Sequence, residues 1–110
     1  VAKIANAFSE DALMQTVVAN PDGSEVNGNS VEDFLNRIRQ TPAETRLDER
    51  ILDFQIKVDG TLASAWTPYE FYANDTFSHC GVNSFQLVKK SGGWKIVYII
   101  DTRRKEGCGK

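Results

Sequence analysis

No apolar run in this sequence approaches the ~18 residues that a membrane-spanning helix requires. That excludes a chain organised around such a span. Histidine occurs once, at His79, and no spaced set of His, Asp and Glu points to a metal. No glycine-rich phosphate loop is present, so neither a metal nor a cofactor is expected. Cysteine occurs twice, at Cys80 and Cys108. Two is too few for a disulfide framework, and the spacing fits no zinc motif. Neither sign of charge dominates: 13 Lys and Arg stand against 15 Asp and Glu, for a formal net charge of −2. Sequence-independent nucleic-acid binding needs a basic surplus, so no nucleic-acid partner is expected. The start shows no basic segment followed by an apolar stretch and a cleavage site. A cytoplasmic protein is expected, unless a leader has been removed.

What is present fits one ordinary domain. Residues 1–110 are a single-domain length, and 41% hydrophobic with 25% charged residues excludes a disordered chain. Val1, Ile4, Ala5 and Phe8 have helical spacing and predict a short helix over 1–8. Leu13 to Ala19 reads as a strand. Asn20-Pro21-Asp22-Gly23 is turn chemistry, and Ser24 to Val26 pairs back. Ser30 is placed to cap a helix with Asp33 three residues on. Val31, Phe34, Leu35 and Ile38 form its apolar stripe, and Thr41-Pro42 stops it. From Leu52 onward the pattern is all strand. The segments are separated by Asp59-Gly60, Asn74-Asp75 and Ser91-Gly92-Gly93, and Pro68 marks an edge or a bulge. The two cysteines are expected to be free thiols, as buried cysteines commonly are; a bridge needs Cα atoms within about 7 Å.

Two-residue turns imply a register. Leu87 then pairs with Ile96, Phe85 with Tyr98 and Asn83 with Ile100; Trp66 comes opposite Asn83, and Glu70 opposite His79. One face is thus expected to gather Trp66, Glu70, His79, Asn83 and Tyr98, the makings of a small-molecule pocket. A slip of one residue would invert each assignment.

The order of elements, with Asp59-Gly60, Trp66, Tyr69 and Tyr72, then Ser78-His79-Cys80-Gly81, Asn83 and Phe85, then Gly93-Trp94-Lys95-Ile96 and Asp101-Thr102-Arg103-Arg104, resembles the nuclear transport factor 2-like superfamily. That group includes SnoaL-like cyclases, ketosteroid isomerase and scytalone dehydratase. The chain is similar to its small bacterial branch of SnoaL-like and lumazine-binding-like proteins. The resemblance implies an α+β cone, a curved antiparallel sheet packed on N-terminal helices. Only residues 1–8 precede the first strand, so the full first lid helix is expected to be lacking unless a neighbouring subunit supplies cover.

The resemblance also implies a carboxylate base inside the cone, with Asp101, Asp53 and Glu70 as candidates. The ketosteroid isomerase pattern pairs a Tyr with a protonated Asp; Tyr98 fits, but no Asp holds an apolar strand position. The scytalone dehydratase pattern needs two histidines. His79 oriented by Glu70 would make an acid–base pair; the plainer role is a hydrogen-bonded rim histidine. Asp101 with Arg103 and Arg104 also reads as a rim ion-pair cluster. The candidate catalytic residues are therefore His79, Glu70 and Asp101, and the candidate ligand contacts Trp66, Asn83, Phe85 and Tyr98. The expected function is binding of an apolar or aromatic small molecule, with a homodimer formed through the sheet face. The alternatives are a cofactor-independent isomerase, cyclase or dehydratase, and a non-catalytic assembly domain.

Overall fold

The computed structural model describes residues 6–42 and 44–108, Asn20 and Asn29 by backbone only. Among the described residues, seven strands and one helix run in the order β1 (Phe8–Asn20), β2 (Gly23–Asn29), α1 (Val31–Gln40), β3 (Leu47–Ile51), β4 (Gln55–Asp59), β5 (Leu62–Ala73), β6 (Thr76–Lys90) and β7 (Gly93–Thr102). They form one curved sheet in the order β2-β1-β7-β6-β5-β3, with β4 also on β5. All pairs are antiparallel except β1 with β7. This is the expected α+β cone. Of the expected helix over 1–8, residues 1–5 lie outside the described residues, and Phe8 opens β1 instead.

Local chemistry explains the elements. Ser30 caps α1, its Oγ accepting from the Asp33 N–H at 3.0 Å. Glu32 and Asp33 sit in the first turn and Arg37 and Arg39 in the last, complementing the helix dipole. At the far end the Thr41 N–H donates to the Ile38 carbonyl, and extended backbone there leads into Pro42. Leu35 is buried, and Phe34 meets the Phe8 ring edge-on, centroids 6.4 Å apart. The β5–β6 turn places Asn74 at φ 50° and Asp75 at φ 68°. Asn and Asp tolerate this left-handed region, which a tight hairpin demands.

The strand expected from Leu52 to Val58 starts only at Gln55, as β4, and β3 ends just before it at Ile51. Ile51 pairs with Tyr69 and Gln55 with Trp66, so three residues oppose two. Leu52 donates to the Pro68 carbonyl at 2.8 Å, but Pro68 has no N–H to return, and the ladder breaks there.

Two further bulges correct the expected register. Leu87 pairs with Ile96 as a two-residue loop requires, but Val97 is an extra residue, so Phe85 meets Ile99 and Asn83 meets Asp101. Ser78 is extra on β6, so His79 meets Phe71, Cys80 meets Glu70 and Ser84 meets Trp66. Each bulge moves the following pairs by one residue and reverses their faces. Phe85, Leu87, Ile96 and Phe8 share the inner face, over which α1 lies. The opposite, outer face carries Trp66, Glu70 and Tyr98.

The two cysteines are not free. Cys80 and Cys108 are disulfide-bonded, with Cα atoms 5.8 Å apart. The chain leaving β7 turns back, and Arg104 bridges to Cys80. This brings together thiols 28 residues apart.

Candidate functional site

The site begins with one row across five strands. Ladder pairs join Thr67 to Asn83, Asn83 to Asp101, Asp101 to Thr16, and Thr16 to Asn27. Paired residues share a face, so hydroxyl, amide and carboxylate groups form a polar stripe on the inner side. Thr67 and Asn83 are buried. The Asn83 amide donates to Glu49 Oε1 at 3.0 Å, and Thr67 Oγ1 donates to the Asn83 carbonyl at 3.4 Å. One step along the strands lies an apolar row of Ala65, Phe85, Ile99 and Met14. On the other side stand Tyr69, Phe71 and His79. The His79 ring stacks on Phe71 with centroids 5.0 Å apart and meets Tyr69 edge-on at 5.8 Å.

Asp101 is the centre of the stripe. Its Oδ2 accepts from Arg103 Nε at 3.5 Å. Its Oδ1 is buried with no hydrogen-bond partner among the described residues. A buried acceptor left unpaired costs about 1–3 kcal/mol. Beside it a half-open hollow of about 400 Å³ is lined by Thr16, Val17, Val18, Ala19, Asn27 and Arg103.

The electrostatics follow from this placement. Burial lowers His79 below the ordinary imidazole range; Arg103 and Lys105 act in the same sense, and Asp101 and Glu49 oppose them. The Ser78 hydroxyl is 3.0 Å from His79 Nδ1. Burial pushes the Tyr69 phenol up to about 12, with Asp101 reinforcing the shift. The Tyr69 hydroxyl donates to the Thr102 carbonyl at 2.8 Å.

Of the residues singled out from the sequence, the inner face therefore brings together His79, Asp101, Asn83 and Phe85. Glu70, Trp66 and Tyr98 are on the other side. Glu70 is buried there and accepts from the Tyr72 hydroxyl at 3.2 Å. Trp66 is 49% exposed, and the Tyr98 hydroxyl donates to Gln15. The expected His79–Glu70 pair is not formed, because the Ser78 bulge separates their faces. Thr67, Tyr69, Thr16, Asn27, Glu49 and Arg103 complete the site but do not stand out as site residues in the sequence. Knowing that Ser78 is bulged would place Tyr69 beside His79; nothing local marks the others.

No family model matches this sequence, and no curated protein does. Solved structures do. The chain has the nuclear transport factor 2-like fold. It is similar to a protein of unknown function with this fold from Shewanella baltica, at 19% identity and a TM-score of 0.62, over 96% of this chain and 78% of the other. A second such protein, from Methylobacillus flagellatus, is 25% identical with a TM-score of 0.60, over 94% and 75% of the two chains. The beta subunit of benzoate 1,2-dioxygenase from Burkholderia mallei superposes with a TM-score of 0.71 at 18% identity, over 94% and 76%. All three are bacterial. In this cone the polar stripe crosses the inner wall, and α1 covers only the Phe8 end.

Proposed function

We propose that the inner face binds a small molecule, laying its apolar or aromatic part over Phe85, Ile99 and Met14 and directing a hydrogen-bond donor at Asp101. The buried, unpartnered Oδ1 of Asp101 carries this reading. Buried acceptors are nearly always paired, and a few polar groups among apolar neighbours are the usual make-up of a ligand site. Phenol and anisole test it, since they share a ring and differ in the donor. Phenol should move the backbone amide resonances of Thr16, Asn83 and Asp101 saturably, anisole less so, and Asp101→Ala should remove the difference. Equal responses to both probes would overturn the reading.

A second reading is supported by His79 and Asp101 sharing one face. Burial favours neutral His79, the form able to accept a proton, so a cofactor-independent isomerase, cyclase or dehydratase would draw on these two side chains. Glu70, on the other face, has no part in it.

We also propose that the outer face pairs with a second copy of the chain. The chain exposes 7631 Å², against roughly 6,100 Å² for a compact monomer of this mass. Leu13, Leu62 and Trp66 are each about half exposed on that face. No helix among the described residues is long and apolar enough to cross a membrane.

A further inference from the structure

We propose that the Cys80–Cys108 disulfide is a redox latch on the tail that follows β7: closed, it holds Arg103 against Asp101 on the inner face; opened by a dithiol, it lets Arg103 leave. As regulation of a binding site, this rests on the function proposed above.

The geometry is that of a short loop pinned twice to one residue. β7 ends at Thr102. Two residues on, Arg104 exchanges backbone hydrogen bonds with Cys80, both at 2.8 Å. Arg104 Nη1 also lies 3.6 Å from Cys80 Sγ. Four residues further, the disulfide returns to the same Cys80. Arg103 is strung between the end of the β7 ladder and this double pin. From there its Nε reaches Asp101 Oδ2 at 3.5 Å. Besides that bridge and the Cys80 contact, the tail from Arg103 to Cys108 has few ties. Apart from its bond to Cys80, Cys108 Sγ has only carbonyls of the tail itself as polar neighbours among the described residues, and the residues between Arg103 and Cys108 are exposed. Cutting the S–S bond leaves the Arg104–Cys80 backbone pair and the exposed Arg103–Asp101 ion pair to hold the segment.

The chemistry is thiol–disulfide exchange. A thiolate of the dithiol attacks Cys108 Sγ, the more accessible sulfur, since Cys80 is 3% exposed. The S–S bond breaks, and Cys80 leaves as a thiolate and takes a proton. The second thiol of the reductant then displaces Cys108 from the mixed disulfide. Two electrons pass to the protein, which ends with two thiols, and the reductant ends as a disulfide. In a cytoplasm, where bridges of this kind are transient and redox-sensing, such a latch would cycle.

His79 reports the latch position. The charged and titratable groups that act on it are Arg103 and Lys105 from the tail, Asp101 from β7 and Glu49 from β3, with the Tyr69 ring against it from β5. Releasing the tail removes both cations and leaves both carboxylates. Because His79 is the only histidine, its ring-proton resonances can be titrated without ambiguity. The experiment follows their midpoint in oxidised protein, in protein reduced with dithiothreitol, in Cys108→Ser, and in oxidised Arg103→Gln. The latch predicts that the last three move the midpoint upward together, because each takes positive charge away from His79. An unchanged midpoint on reduction would overturn it, even if Arg103→Gln raises the midpoint. So would loss of spectral dispersion in both reduced protein and Cys108→Ser, since the bridge would then be a structural staple. No ligand enters the measurement, so its failure is distinct from failure of the phenol titration.

Discussion

Gly81 lies directly beneath the Thr102 carbonyl: a Cβ on Gly81 would collide with that oxygen and approach Thr102 Oγ1 to 3.0 Å. The same carbonyl accepts the Tyr69 hydroxyl, and Thr102 Oγ1 accepts from the Val82 N–H at 3.1 Å. The end of β7 is thus folded down onto β6, which carries Arg103 toward the inner face. Gly81→Ala forces this arrangement apart. Overpacking of this kind costs about 1–3 kcal/mol, and urea denaturation should show a loss in that range. An unchanged midpoint would mean that the closure is not built as described.

Tyr69 makes stability depend on alkaline pH. Its folded value is raised to about 12 from the ordinary 10.0, so between those values the unfolded chain has lost a proton that the folded chain keeps. Stability is then fully present below pH 10 and falls as pH rises toward 12. Tyr69→Phe should flatten that part of the denaturation profile. Absorbance titration should show a phenol ionising near pH 12 that Tyr69→Phe removes.

His79 acts on the acid side. Its folded value is lowered below 6.5, so just below that pH the unfolded chain binds a proton that the folded chain refuses. The contribution is present above pH 6.5 and is lost as pH falls. His79→Gln should reduce the slope of stability against pH in that window and leave the slope near pH 8 unchanged.

Asp101→Asn separates stability from binding. The charge at this position is buried with one oxygen unpaired, and its partner Arg103 is half exposed, so the ion pair contributes little. The amide keeps an acceptor oxygen but not the charge, so thermal stability should change by no more than about 1 kcal/mol, while the phenol response weakens. Thermal denaturation showing a large loss instead would make Asp101 a structural residue.

The outer face predicts a self-association equilibrium. Sedimentation should show a dimer at micromolar concentration, and Trp66→Lys should shift it to monomer while the circular dichroism is retained. Because Trp66 is 49% and Trp94 39% exposed in the single chain, replacing either with Ala should cost less stability than Tyr69→Ala. A monomer at all concentrations would remove the dimer proposal and leave the inner-face site untouched.

Much of this protein is decided within short stretches of sequence. The Ser30 cap, the α1 stripe and the Asn74-Asp75 turn depend on neighbours a few residues apart, and the structure places each where its chemistry puts it; the hairpin signalled by Asp59-Gly60 closes one residue later, over Gly60-Thr61, with Asp59 paired to Leu62. The resemblance to the cone fold rests on the order of such elements, so it too is legible. The faces are not. An extra residue at Ser78 or Val97 has no distinctive side chain, yet each bulge reverses all pairs beyond it. That is why His79 and Asn83 were separable from Glu70, Trp66 and Tyr98 only in three dimensions. The polar stripe from Thr67 to Asn27 draws on five strands, two of them meeting as parallel β1 and β7, a contact between chain ends that no local pattern encodes. The disulfide belongs to the same class. Cys80 and Cys108 meet because the chain turns back after Thr102, and that return is set by the packing of Gly81 against a carbonyl rather than by anything in the spacing of the cysteines. Local propensity determined the elements; long-range register, fixed by where the ladders bulge, determined which side chains share the site.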